Sequence, residues 1–167
     1  LAIQSDPGHE KEIGVPDDAV TARTRKVITD AYEAAATGDG SKLYDCLHPD
    51  AEIFEAPLLP FGGVYRGVEG LEQLLTNITP WMDMSGIQMT KIMADGEWGC
   101  GIMKTPTQDG QLIDIVEMWE LRDGKLWRAK VYYFDIGTLI KDEALHYYRA
   151  AHASSASDSR ARFGGAP

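Results

Sequence analysis

Long apolar runs are missing from this sequence. No stretch approaches the roughly 20 apolar residues that a bilayer-spanning helix needs, although 44% of the 167 residues are hydrophobic, so no membrane partner is expected. Basic residues are in deficit, 16 Lys and Arg against 26 Asp and Glu for a net charge of −10. That balance opposes the phosphate neutralisation on which nucleic-acid binding depends, and nucleic acid is not an expected partner. Cysteine is scarce too. Cys46 and Cys100 form no C-x-x-C or Cys/His ligand pattern, so no metal is expected, and two isolated thiols suit reduced, buried side chains of a cytoplasmic protein. The start Leu1-Ala2-Ile3-Gln4-Ser5-Asp6-Pro7 lacks the basic-then-apolar order of a signal peptide, which again sets a cytoplasmic expectation.

What is present fits one domain, since a typical domain takes roughly 100–150 residues, and no internal repeat breaks it up. Residues 1–20 carry Pro7, Gly8, Gly14 and Pro16 among charges without apolar periodicity and read as an extended arm. Residues 153–167, rich in Ser and then Gly164-Gly165-Ala166-Pro167, read as a disordered tail. The domain is expected over 21–152.

Within it, Val27, Ile28, Ala31, Ala34 and Ala35 recur at helical spacing, predicting a helix over 21–36 that ends at Gly38. A short helix over 41–47 follows, with His48-Pro49-Asp50 as its breaker and 51–56 as the first strand. The loop 57–63, with Phe61 in it, is unusually apolar and suits a pocket lip. Leu71, Leu74, Leu75 and Ile78 define one face of an amphipathic helix over 68–81, with Gly67 and Pro80 near its two ends. Four strands are then predicted, over 87–95, 98–106, 111–121 and 125–135, separated by Asp-Gly turns that accept positive φ. A last helix is predicted over 136–151. Helices followed by one antiparallel meander is an α+β order, with the curved sheet wrapped around the N-terminal helices as a cone whose open end makes a pocket.

Strand alternation places three acids among large apolar groups. Glu117 shares a face with Ile113, Ile115 and Trp119; Glu55 shares one with Ile53; and Asp135 falls in register with Trp127, Ala129, Val131 and Tyr133. A carboxylate on a desolvated surface is costly to ionise, so its pKa rises towards neutrality and it becomes an acid or base for enolisation or elimination. No cofactor is needed for such chemistry.

The stretches Thr37-Gly38-Asp39, His48 to Pro57, Tyr65-Arg66-Gly67, Arg122 to Leu126 and Tyr132-Tyr133-Phe134-Asp135 resemble the SnoaL-like and ketosteroid-isomerase-like branch of the nuclear transport factor 2-like superfamily, over about residues 20–140. The resemblance implies a cone fold, a hydrophobic small-molecule substrate and a homodimer formed through the outward face that bears Arg128, Lys130, Tyr132 and Phe134. It puts Glu55 where ketosteroid isomerases keep the general base and Glu117 where they keep the protonated acid that donates to the oxyanion, a pairing long used to illustrate carboxyl pKa tuning. Asp135 resembles the strand-end acid of cyclases and epoxide hydrolases, and Tyr133 a pocket-lining aromatic. The isomerases' helix tyrosine aligns with Ala31, which leaves Tyr32 one residue and about 100° away as a candidate donor. The Arg-x-Asp pair of epoxide hydrolases is missing, and of the pocket histidines of scytalone dehydratase only His48 lies near a plausible rim. The expected catalytic set is Glu55, Glu117, Asp135, Tyr32 and His48, and the expected substrate-binding set is Tyr133, Trp119, Phe61, Ile115 and Trp81. The expected activity is cofactor-independent isomerisation, aldol-type cyclisation or dehydration of a hydrophobic carbonyl compound. The alternative is a non-catalytic small-molecule-binding or interaction module of the same fold.

Overall fold

The computed structural model describes residues 17–140. Helix α1 (Asp18–Thr37) starts three residues earlier than the apolar stripe predicts, because the Asp17 side chain caps it by accepting from the Ala19 N–H at 2.8 Å. A left-handed Gly38 ends it, and its N–H returns to the α1 carbonyls. Helix α2 (Gly40–Cys46) is capped by Asp39.

Strand β1 (Leu47–Glu55) begins four residues before expected: His48, Pro49 and Asp50 are part of the strand rather than a break ahead of it. Strand β2 (Gly63–Arg66), which was not predicted, folds back antiparallel on β1 and sets Glu55 opposite Gly63. Helix α3 (Gly67–Ile78) stops short of Trp81 and buries Leu71, Leu74 and Ile78. Each such apolar side chain removed from water contributes roughly 1.5–3 kcal/mol.

The meander follows as β3 (Gln88–Asp95), β4 (Trp98–Pro106), β5 (Leu112–Arg122) and β6 (Lys125–Tyr133). The six strands form one curved, open sheet in the order β2-β1-β6-β5-β4-β3. All neighbours are antiparallel except β1 and β6, which run parallel with Ile53 beside Ala129. The sheet is therefore mixed. Its inner face carries Ile53, Met103, Ile115 and Val131 against Ile28 and Ala31 of α1 and the apolar stripe of α3. The α+β cone expected from the sequence is the fold observed.

Two local features alter the side-chain bookkeeping. The β5–β6 register shifts at Glu120 and Leu121, which pair with Arg128 and Leu126 and leave Trp127 as an extra, bulged residue. The bulge buries Leu126 and turns Trp127 outward, where the guanidinium carbons of Arg122 and Arg128 lie 4.3 and 4.0 Å from its ring centroid. Trp127 thus does not share the inner face with Ala129 and Val131. Strand β6 also ends at Tyr133, so Asp135 is outside it and caps a 3-10 turn, Ile136–Thr138, where a longer helix was predicted. The rest of that helix, the first part of the N-terminal arm and the C-terminal tail lie outside the described residues. None of the described helices is long and apolar enough to cross a membrane.

Candidate active site

A cavity of about 120 Å³ opens between the concave face of the sheet and helices α1 and α3. Its wall is largely aliphatic, with Ile28, Leu47, Leu74, Ile78, Ile115 and Val131 among its lining residues. Into it come two carboxylates, each held by a tyrosine.

Glu55, the last residue of β1, is 5% exposed, and its Oε2 accepts the Tyr133 hydroxyl at 2.9 Å. Burial pushes its pKa from the ordinary 4.5 up to about 8; the Tyr133 hydrogen bond opposes the rise, and the nearby Glu117 charge adds to it. Glu117, on β5, accepts the Tyr32 hydroxyl at Oε2, 2.7 Å away. Burial raises its pKa as well, against hydrogen bonds from Tyr32 and Trp119 that favour the ionised form. Both phenols are raised, first by desolvation and then by the carboxylate each one faces. They therefore remain donors throughout the working range of a protein.

Tyr32 reaches this position because β4 carries Gly99-Cys100-Gly101 on the strand beneath α1. Gly101 is the cross-strand partner of Glu117 and Gly99 that of Trp119. A Cβ at Gly101 would lie 2.5–2.7 Å from three atoms of Tyr32, and one at Gly99 would lie 2.5 Å from Ile28 Cδ1. One helical turn of α1, Ile28 to Tyr32, thus rests directly on the strand backbone. The offset from Ala31 does not carry Tyr32 away from the pocket: both residues line it.

Glu55, Glu117, Tyr32, Tyr133, Trp119 and Ile115 are brought together at the cavity wall. The remaining candidates are not. Asp135 is exposed beyond the end of β6, accepting the Gly137 N–H at 3.1 Å. His48 alternates with Leu47, whose side chain lines the cavity, and so points away from it; its Nδ1 accepts the Asp50 N–H at 3.0 Å and its Nε2 lies 3.8 Å from Asp123. Phe61 is fully buried behind the wall, edge-on to the Tyr133 ring with centroids 6.1 Å apart. Trp81 is half-buried past the end of α3, where its carbonyl accepts the Gln108 N–H. Sequence reasoning missed Gly99 and Gly101, for which the Gly-x-Gly spacing inside a strand was the available signal, and Thr105, a buried hydroxyl on the wall. Among the described residues, no three His, Cys, Asp or Glu side chains gather as a metal site.

This architecture is that of the NTF2-like proteins. A protein of that class from Burkholderia xenovorans superposes with a TM-score of 0.60 at 20% identity, covering 71% of this chain and 94% of its own. Bal32a, from a soil-derived mobile gene cassette, gives 0.63 at 12% identity over 71% and 94%. A proposed ketosteroid isomerase from Kribbella flavida gives 0.56 at 18% identity over 69% and 80%. At these identities the likeness is one of fold. Residues 28–129 match the SnoaL-like domain, and the chain belongs to that family. No curated protein matches it in sequence.

Proposed function

We propose that the protein is a cofactor-independent acid/base enzyme that moves protons on an apolar carbonyl compound, in an isomerisation, an aldol-type cyclisation or a dehydration. The observation that carries this reading is the pair of tyrosine-held carboxylates in one apolar cavity. Desolvation makes both reluctant to ionise, which is wasteful for stability and useful for proton transfer near neutrality.

In the simplest cycle, ionised Glu55 removes a proton α to the carbonyl, breaking the C–H bond and pushing its electron pair into an enolate. Glu117, protonated and oriented by Tyr32, donates to the developing oxyanion, where a donor is worth most in a low-dielectric site. Glu55 then returns the proton, at the γ carbon in an isomerisation. Glu55 is assigned the base and Glu117 the acid in this scheme because their positions resemble those of the base and the oxyanion donor in ketosteroid isomerases. Apolar β,γ-unsaturated ketones are the test compounds: Glu55→Gln and Glu117→Gln each lower kcat by about 10²–10⁴-fold with little change in KM. Turnover that both variants leave intact overturns the mechanism.

The aliphatic wall also favours a second reading, a non-catalytic carrier of apolar molecules. It predicts that the same two variants bind such molecules at least as tightly as the wild type and that no compound is turned over. In either reading we propose a homodimer formed through the outer face of β4–β6, where Ile102 and Val116 adjoin the exposed Met118, Tyr132 and Phe134.

A further inference from the structure

We infer that the molecule this cavity accepts is uncharged and about the size of a single six-membered ring, an inference that rests on the acid/base reading for the placement of its oxygen. The volume sets the size. An apolar cavity of about 150 Å³ takes up benzene, and the space between the sheet and α1 and α3 is about 120 Å³. The walls that set this limit are well-packed side chains of two helices and the sheet: Ile28 is fully buried, and Leu74 and Ile78 are 6% and 5% exposed. Core side chains of this kind yield little without a cost in packing.

The lining sets the charge. No Lys, Arg or His is among the described residues around the cavity, while two carboxylates are. A ligand carboxylate or phosphate entering it would lose its hydration, find no countercharge and face Glu55 and Glu117. An ammonium would fare better only by forcing one of these buried acids to ionise. A neutral oxygen, in contrast, meets prepared partners. Tyr32 of α1 with Glu117 of β5, and Tyr133 of β6 with Glu55 of β1, offer donors and acceptors, while the aliphatic wall receives the ring. Large multi-ring ketones and acidic or acyl-phosphate compounds are thus excluded by different features of one cavity.

Binding and turnover separate this inference from the function on which it rests. With the full-length protein at pH 7, calorimetry compares phenol with 2-naphthol, benzoate and cyclohexylamine, while absorbance follows conversion of cyclohex-3-enone to the conjugated isomer. The inference predicts that phenol binds at least about tenfold more tightly than 2-naphthol and that benzoate and cyclohexylamine bind at least about tenfold more weakly than phenol. Leu74→Ala, which removes part of the wall, reverses the preference towards 2-naphthol; Ile78→Ala does the same if the first variant fails to fold. Equal or tighter binding of 2-naphthol, benzoate or cyclohexylamine by the wild type overturns the inference, as does failure of phenol to bind at all. Selective binding of phenol without turnover of cyclohex-3-enone supports the size and charge limits and counts against the catalytic reading alone.

Discussion

Gly101 carries the ring of Tyr32 against its bare α-carbon, and a side chain at that position would overlap the phenol at 2.5 Å from its hydroxyl. The backbone of a central strand thus sets how closely α1 approaches and brings its hydroxyl to Glu117. Gly101→Ala should cost about 1–3 kcal/mol in denaturant unfolding, the usual penalty of overpacking. It should also push Tyr32 off Glu117 and raise the Glu117 pKa further, because a donor to the ionised form is lost. Unfolding curves and a side-chain carboxyl titration check both effects; a neutral substitution would mean that α1 is not seated on the strand.

Tyr133 restrains the proposed base. Its hydrogen bond favours ionised Glu55, so Tyr133→Phe should move the alkaline rise of kcat/KM from about 8 to higher pH by about one unit, the worth of a hydrogen bond to a charged group. A pH–rate profile with an unchanged or more acidic midpoint would contradict the pairing.

The same carboxyl links stability to pH. Folded Glu55 holds its proton up to about pH 8 while the unfolded group releases it near 4.5, so the native state binds more protons in that window. Stability therefore falls as pH rises from about 4.5 to 8 and levels off above it. The full shift corresponds to at most about 5 kcal/mol. Glu55→Gln should flatten this slope and leave the variant more stable than the wild type at pH 8, measured by urea unfolding across the range. Parallel curves for the two proteins would show that Glu55 titrates normally.

The outer face offers a separate test. Phe134 is 90% exposed and Tyr132 50%, a cost to solubility that a second copy of the chain would remove. Sedimentation equilibrium should give a dimer for the wild type and a monomer for Phe134→Asp combined with Tyr132→Asp. A wild type that stays monomeric at tens of micromolar contradicts the proposed interface.

Strand alternation was enough to find Glu55 and Glu117, because a period of two places an acid on a face whatever the partner strand. It failed where the period breaks. The bulge at Trp127 takes that residue out of the inward series, which runs Leu126, Ala129, Val131 and Tyr133, and the strand itself ends there, before Asp135. No local pattern announces that bulge. The parallel pairing of β1 with β6 is likewise a long-range choice, made by burial of both strands under the helices and not by either strand alone. His48 was misplaced for a simpler reason: Pro49 was read as a breaker, but it lies within β1 where the pairing with β6 shifts register, an irregularity of the kind that tolerates proline. Tyr32 was a question of contact distance, and two glycines on a neighbouring strand decided it.

Carbon-detected NMR titration of the Glu55 and Glu117 side-chain carboxyls in the ligand-free protein tests the central claim most directly. The account predicts a Glu55 midpoint near 8, with the Glu117 midpoint also raised above the ordinary glutamate value by its burial. Two midpoints near 4.5, the ordinary value for a glutamate, would contradict it and leave an apolar pocket whose acids are ordinary.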